Sequence, residues 1–63
     1  MTAYRVIAKN LKTGIRVERQ QIDGNLITVE ELAWRTAQDF AAAQEQRYGD
    51  QWTAMVESYT PRK

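Results

Sequence analysis

Residues 28–48 read TVEELAWRTAQDFAAAQEQRY, and no other stretch of the chain declares its conformation so fully. No Gly or Pro interrupts it, and Ala, Leu, Gln and Glu are strong helix formers. Thr28 with Glu31 has the spacing of a capping box, and Ile27 with Leu32 that of a hydrophobic staple. Gly49 follows the last periodic residue, where a left-handed C-terminal cap is wanted. The pattern predicts a helix over 29–48, about 30 Å long at 1.5 Å per residue. Its wheel gathers Val29, Leu32, Ala33, Ala37, Phe40, Ala41, Gln44 and Tyr48 on one face, opposite Glu31, Arg35, Gln38, Ala42 and Gln46. Three consecutive alanines at 41–43 would let this helix lie close to a sheet.

On either side of the helix the period changes to two. YRVIAK (4–9), IRVERQQI (15–22) and WTAMVESY (52–59) alternate and are rich in β-branched or aromatic residues, so they read as strands. Asn10 to Gly14 is a hairpin signal, Asp23-Gly24-Asn25 a turn leading through Leu26 and Ile27 to the helix. Pro61 cannot donate a ladder hydrogen bond and should end the third strand. The favoured hairpin register places Tyr4, Val6, Ala8, Ile15 and Val17 on one face; a slip of one residue would turn a strand over. The order ββαβ then gives a two-layer α+β domain, a three-stranded antiparallel sheet in order 2-1-3 under one long helix. The expected core is Tyr4, Val6, Ala8, Val17, Trp52, Ala54 and Val56 from the sheet with Val29, Leu32 and Phe40 from the helix. This arrangement recurs among small proteins, including ones carried by phages and mobile elements, and fold alone assigns no function.

Sixty-three residues make a single domain, 1–63, with a marginal core. There is no Cys and no His, which removes disulfides, thiolate metal sites and the commonest general base and nucleophile. Ser58 stands alone without a motif. Glu30 and Glu31 are adjacent on a helix, so their carboxylates diverge, and acids in a first turn complement the helix dipole. No Gly-rich phosphate loop is present. The expectation is a protein that is not an enzyme, with no catalytic residues, no metal site, no cofactor and no small-molecule substrate. No apolar run approaches the roughly 18 residues of a membrane span, and the first ten residues lack a signal-peptide core. A soluble, cytoplasmic protein is expected.

The near-neutral total of +1 conceals a dipole. Residues 1–22 carry Arg5, Lys9, Lys12, Arg16 and Arg19 against Glu18, a net of +4; residues 23–57 sum to −5, and Arg62 and Lys63 end the chain. In the favoured register Arg5, Ile7, Lys9, Arg16, Glu18, Thr53, Met55, Glu57 and Tyr59 face away from the helix. Two readings follow. In the leading one the chain is a protein-interaction or adaptor module. Ile7, Met55 and Tyr59 form an apolar patch rimmed by cations, and Trp34 at the helix edge is either an interface anchor or a cover for the sheet edge. A second copy of the chain is one candidate partner, because both outer strands have free edges. The alternative is a nucleic-acid binder using Arg5, Lys9, Lys12, Arg16 and Arg19.

Overall fold

The computed structural model describes residues 1–62, so the cation expected at Lys63 lies outside the described residues. The elements are β1 (Ala3–Asn10), β2 (Arg16–Arg19), β3 (Gln21–Ile22), β4 (Asn25–Leu26), α1 (Glu30–Tyr48) and β5 (Trp52–Tyr59). The main sheet has order β2-β1-β5 with both pairings antiparallel, and α1 packs across β1 and β5. The expected α+β architecture and strand order are therefore present. The register is the favoured one: Ala8 pairs with Val17 and Val6 with Arg19. On β5, Val56 lies beside Val6 and Ala54 beside Ala8. No helix among the described residues is long and apolar enough to cross a membrane.

The helix meets the sheet through alanine. Ala33, Ala37 and Ala41 are its buried residues, one turn apart on a single line. Ala33 and Ala37 join Val6 and Ile27 in one cluster, with Tyr4, Ile22, Phe40, Ala54 and Val56 around it. Ala41 meets Ala8 and Trp52 in a second, and Phe40 packs against both. Val29 and Leu32, expected in the core, stand exposed, as does Tyr48 from the same face of the wheel. A three-stranded sheet is too narrow to cover the broad apolar face of the wheel, and only its centre is used.

The helix also starts one residue later than the pattern predicts. Val29 is the N-cap, extended at φ −111 and ψ 120, and no side chain caps the helix. The capping box of Thr28 and Glu31 does not form. The cause lies just upstream: the Tyr4 N–H donates to the Ile27 carbonyl at 2.8 Å. Ile27 is thereby held as a bridge to β1, with its side chain buried in the cluster of Val6, Ala33 and Ala37. Glu30 and Glu31 remain in the first turn, where carboxylates favour the dipole. At the other end Gly49 is left-handed at φ 78, and its N–H donates to the Glu45 carbonyl.

The strand expected over 15–22 is interrupted. β2 stops at Arg19, and the chain then forms a small hairpin in which Gln21 pairs with Leu26 and Ile22 with Asn25. Asp23 and Gly24, at φ 51 and 81, are the two positive-φ residues of a type I′ turn. The Asp-Gly pair signalled this hairpin; reading it as a simple turn missed the two short strands.

Asn10 joins the pieces at the opposite end. It is buried, and its Oδ1 accepts the N–H groups of Lys12 and Thr13 at 2.8 and 3.0 Å. Its Nδ2 donates to Asp50 Oδ2 at 3.1 Å, and the neighbouring Leu11 N–H donates to the Gln51 carbonyl. One side chain thus fixes the first hairpin against the segment linking α1 to β5.

Two substitutions test this account by urea denaturation. Ala37→Leu should cost about 1–3 kcal/mol by overpacking, whereas Ala42→Leu, on the exposed side, should change stability by less than about 0.5 kcal/mol. Thr28→Ala should also stay within about 0.5 kcal/mol. A loss near 1 kcal/mol there would mean that Thr28 caps the helix in solution.

Candidate interaction surface

The open face of the sheet carries Arg5, Ile7 and Lys9 from β1, Arg16 and Glu18 from β2, and Thr53, Met55, Glu57 and Tyr59 from β5. Its centre is not an exposed apolar patch. Ile7, flanked by Glu18 and Met55, has 0% of its surface accessible. The charged side chains around it account for this. Arg5 bridges to Glu57 at 3.2 Å and Arg16 to Glu18 at 3.2 Å. Arg16 also reaches across the central strand to within 3.9 Å of Glu57, which lays a bridge of long side chains over Ile7. The Arg5 guanidinium further sits 5.0 Å from the Tyr59 ring centroid. Ile7 lies on the predicted face but is a buried core residue, not the exposed contact expected of it. Met55 and Tyr59 are half-buried.

The same contacts redistribute the basic hairpin. Arg5 and Arg16 spend their charge on Glu57 and Glu18, and Lys9 is half-buried between them in sequence order along the face. Lys12 is exposed in the hairpin loop. Arg19 lies on the other side of the sheet, its guanidinium 5.1 Å from the Phe40 ring centroid. The five cations grouped by the sequence therefore occupy two faces and a loop.

Trp34 is separated from Met55 and Tyr59 by the thickness of the sheet; Met55 and Tyr59 belong to β5, with the Tyr59 ring lying inward against Arg5 of β1. At 3.6 residues per turn, Trp34 and Glu45 lie about 60–80° to one side of Ala37 and Phe40 about 60° to the other. Phe40 meets Arg19 of β2, while Glu45 Oε1 accepts the Trp52 N–H at 3.0 Å. The Trp34 flank is thus the β5 flank, and the residue is 44% exposed there. It completes no part of the buried clusters.

The edge itself has a definite hydrogen-bonding row. The Asn10 N–H donates toward β2, to Ile15, and the Tyr4 N–H to Ile27 on that same side. Odd-numbered residues of β1 consequently turn toward β5 and pair with Thr53, Met55, Glu57 and Tyr59. By the alternation of an antiparallel ladder, Trp52, Ala54, Val56 and Ser58 direct their backbone groups outward. Glu45 takes the first N–H; among the described residues, Ala54, Val56 and Ser58 have no strand beside them. The edge has no Pro, no Lys and no positive-φ break, the usual protections. This unguarded row is the feature that sequence reasoning located only as a free strand, without the parity that fixes which residues offer it.

A second concavity, of about 350 Å³, lies between the first hairpin and the end of α1, lined by Ile15, Val17, Gln44, Tyr48 and Trp52 among others. Ile15 is 58% exposed at its rim. Comparison of the chain with protein-family models, with curated proteins and with solved structures returns no match.

The role given to Ile7 is tested by stability rather than binding. Ile7→Ala should cost about 2–5 kcal/mol in chemical denaturation. A cost below about 0.5 kcal/mol would place the side chain at the surface.

Proposed function

We propose that this chain is a non-catalytic protein-interaction module acting in the cytoplasm, and that its working surface is the outer edge of β5. The observation that carries this reading is the row of unpaired backbone groups on Ala54, Val56 and Ser58, bordered by Trp34 on one side and by Met55 and Tyr59 on the other. An incoming strand would gain main-chain hydrogen bonds from the edge and side-chain contacts from both borders, the logic of β-strand addition. Trp and Tyr are the residues that most often anchor such contacts. The open face contributes charge pattern and orientation, because its two arginines, Arg5 and Arg16, are already paired with Glu57 and Glu18; paired charges of this kind select and steer a partner more than they tighten binding.

The nucleic-acid alternative rests on Lys9, Lys12 and Arg16 and predicts the opposite salt behaviour. The chain, immobilised and exposed to extract of its native cells, should retain a protein near 1 M salt, where screening acts within about 3 Å. Trp34→Ala and Tyr59→Ala should each release it. Amide shifts produced by mixed oligonucleotides, confined to residues 5–19 and abolished by salt and by Arg16→Ala, would instead favour the alternative.

A further inference from the structure

We infer that the strand which completes the β5 edge is β5 of a second copy, joining two chains about a twofold axis at Val56. The inference rests on the interaction reading above and names its partner. An antiparallel self-pairing centred on Val56 sets Val56 against Val56 of the other copy and Ala54 against Ser58. In that register every free outward N–H and C=O of Ala54, Val56 and Ser58 finds a partner. Centring the axis on Met55 would require the Trp52 N–H, which Glu45 already holds at 3.0 Å. The Glu45 carboxylate therefore ends the free row and bars registers centred before Val56, while centring on Glu57 would need Thr60, beyond the end of β5; Val56 is the centre that uses the strand's own residues.

The second layer fits the same symmetry. Each α1 packs across β1 and β5 of its own sheet, so two helices on the joined sheet would stand two strand spacings apart. With strands about 4.8 Å apart that is about 10 Å, within the range at which helices pack directly. The flank each helix would present is the one bearing Trp34. Ala33 and Ala37, on either side of Trp34 in sequence, cluster with Val56, so the two Trp34 side chains would meet at the level of the axis. Gln38 of one helix would then face Glu30 of the other, an amide opposite a carboxylate. On the open face Met55 would stand beside Glu57 of the other copy, whose charge Arg5 already balances. A net charge of +1 per chain opposes association little. The product doubles the three-stranded sheet and removes its longer free edge, with the open faces of both copies merged into one surface.

Sedimentation equilibrium tests the association and isotope-filtered NMR its register. The chain should rise from 7.3 kDa to twice that mass with concentration. A mixed-label sample should show an intermolecular Hα–Hα contact between Met55 and Glu57, the close pair in this register. Ser58→Pro removes an outward donor from an edge position that tolerates proline, and a synthetic chain N-methylated at Val56 removes the donor on the axis without altering a side chain. Both should keep the monomer's circular dichroism and weaken association at least about tenfold; Trp34→Ala should weaken it through the helix layer. A wild-type chain that stays monomeric at millimolar concentration, or a dimer whose contacts lie elsewhere, overturns the inference. If that monomer still captures a heterologous protein in a Trp34-dependent way, only self-pairing has failed; if it captures none, the interaction reading fails with it.

Discussion

The contact on which the structure depends is the line of Ala33, Ala37 and Ala41 against β1 and β5. Methyl groups on both sides bring helix and sheet close together and leave little freedom for the helix to roll, since any rotation would drive Phe40 or Trp34 into the strands. The same closeness makes the core thin. Its fully buried large side chains are Val6, Ile7 and Ile27, each contributing roughly 1.5–3 kcal/mol of burial, against chain entropy of similar total size. Ile7 belongs to this count although it faces away from the helix, so the domain holds a second, minimal core on its open side, covered by ion-paired side chains instead of by another layer.

That economy explains why large apolar residues remain on the helix flanks. Leu32 and Val29 project on the β2 side and Trp34 on the β5 side of a helix that is wider in apolar character than the sheet beneath it. On the β2 side the sheet edge is shortened and the chain turns away into the β3-β4 hairpin, so little ladder is left to extend. On the β5 side a straight eight-residue strand ends beside an uncovered Trp. The two edges are thus unequal, and the β5 edge is the one with a long ladder left to extend.

Much of the architecture was legible because two periodicities speak plainly in the sequence. Alternation in 4–9, 15–22 and 52–59 located the strands, although the second breaks after Arg19; the positions of Ile15 and Val17 relative to Ala8 set the register, and Gly49 marked the end of the helix. What was not legible depends on distant partners. Thr28 and Glu31 have the spacing of a cap, but the extended chain that bonds Tyr4 through Ile27 runs on through Val29, so Val29 takes the N-cap position and Thr28 falls one residue short of it. Ile7 sits correctly on the open face, but its burial comes from the reach of Arg16 and Glu57, a length effect that alternation does not encode. Of the candidate surface, Trp34, Met55 and Tyr59 could be singled out by residue type, while the parity that turns the backbone groups of Ala54, Val56 and Ser58 outward required the ladder.

The central position of β1 carries a consequence for the order of assembly. Arg5 and Glu57 are bonded across 52 positions of sequence, so β1 cannot finish its ladder during synthesis until β5 has followed it from the ribosome. Until then the Val6–Ala8 segment can be covered from one side only, by β2, and the α1 alanines have half a platform. Pairings this remote slow the search for the native state because chain closure must precede any gain from contact. They also open a route to exchange: in a crowd of nascent chains, β5 of one molecule can complete the sheet of its neighbour as well as its own.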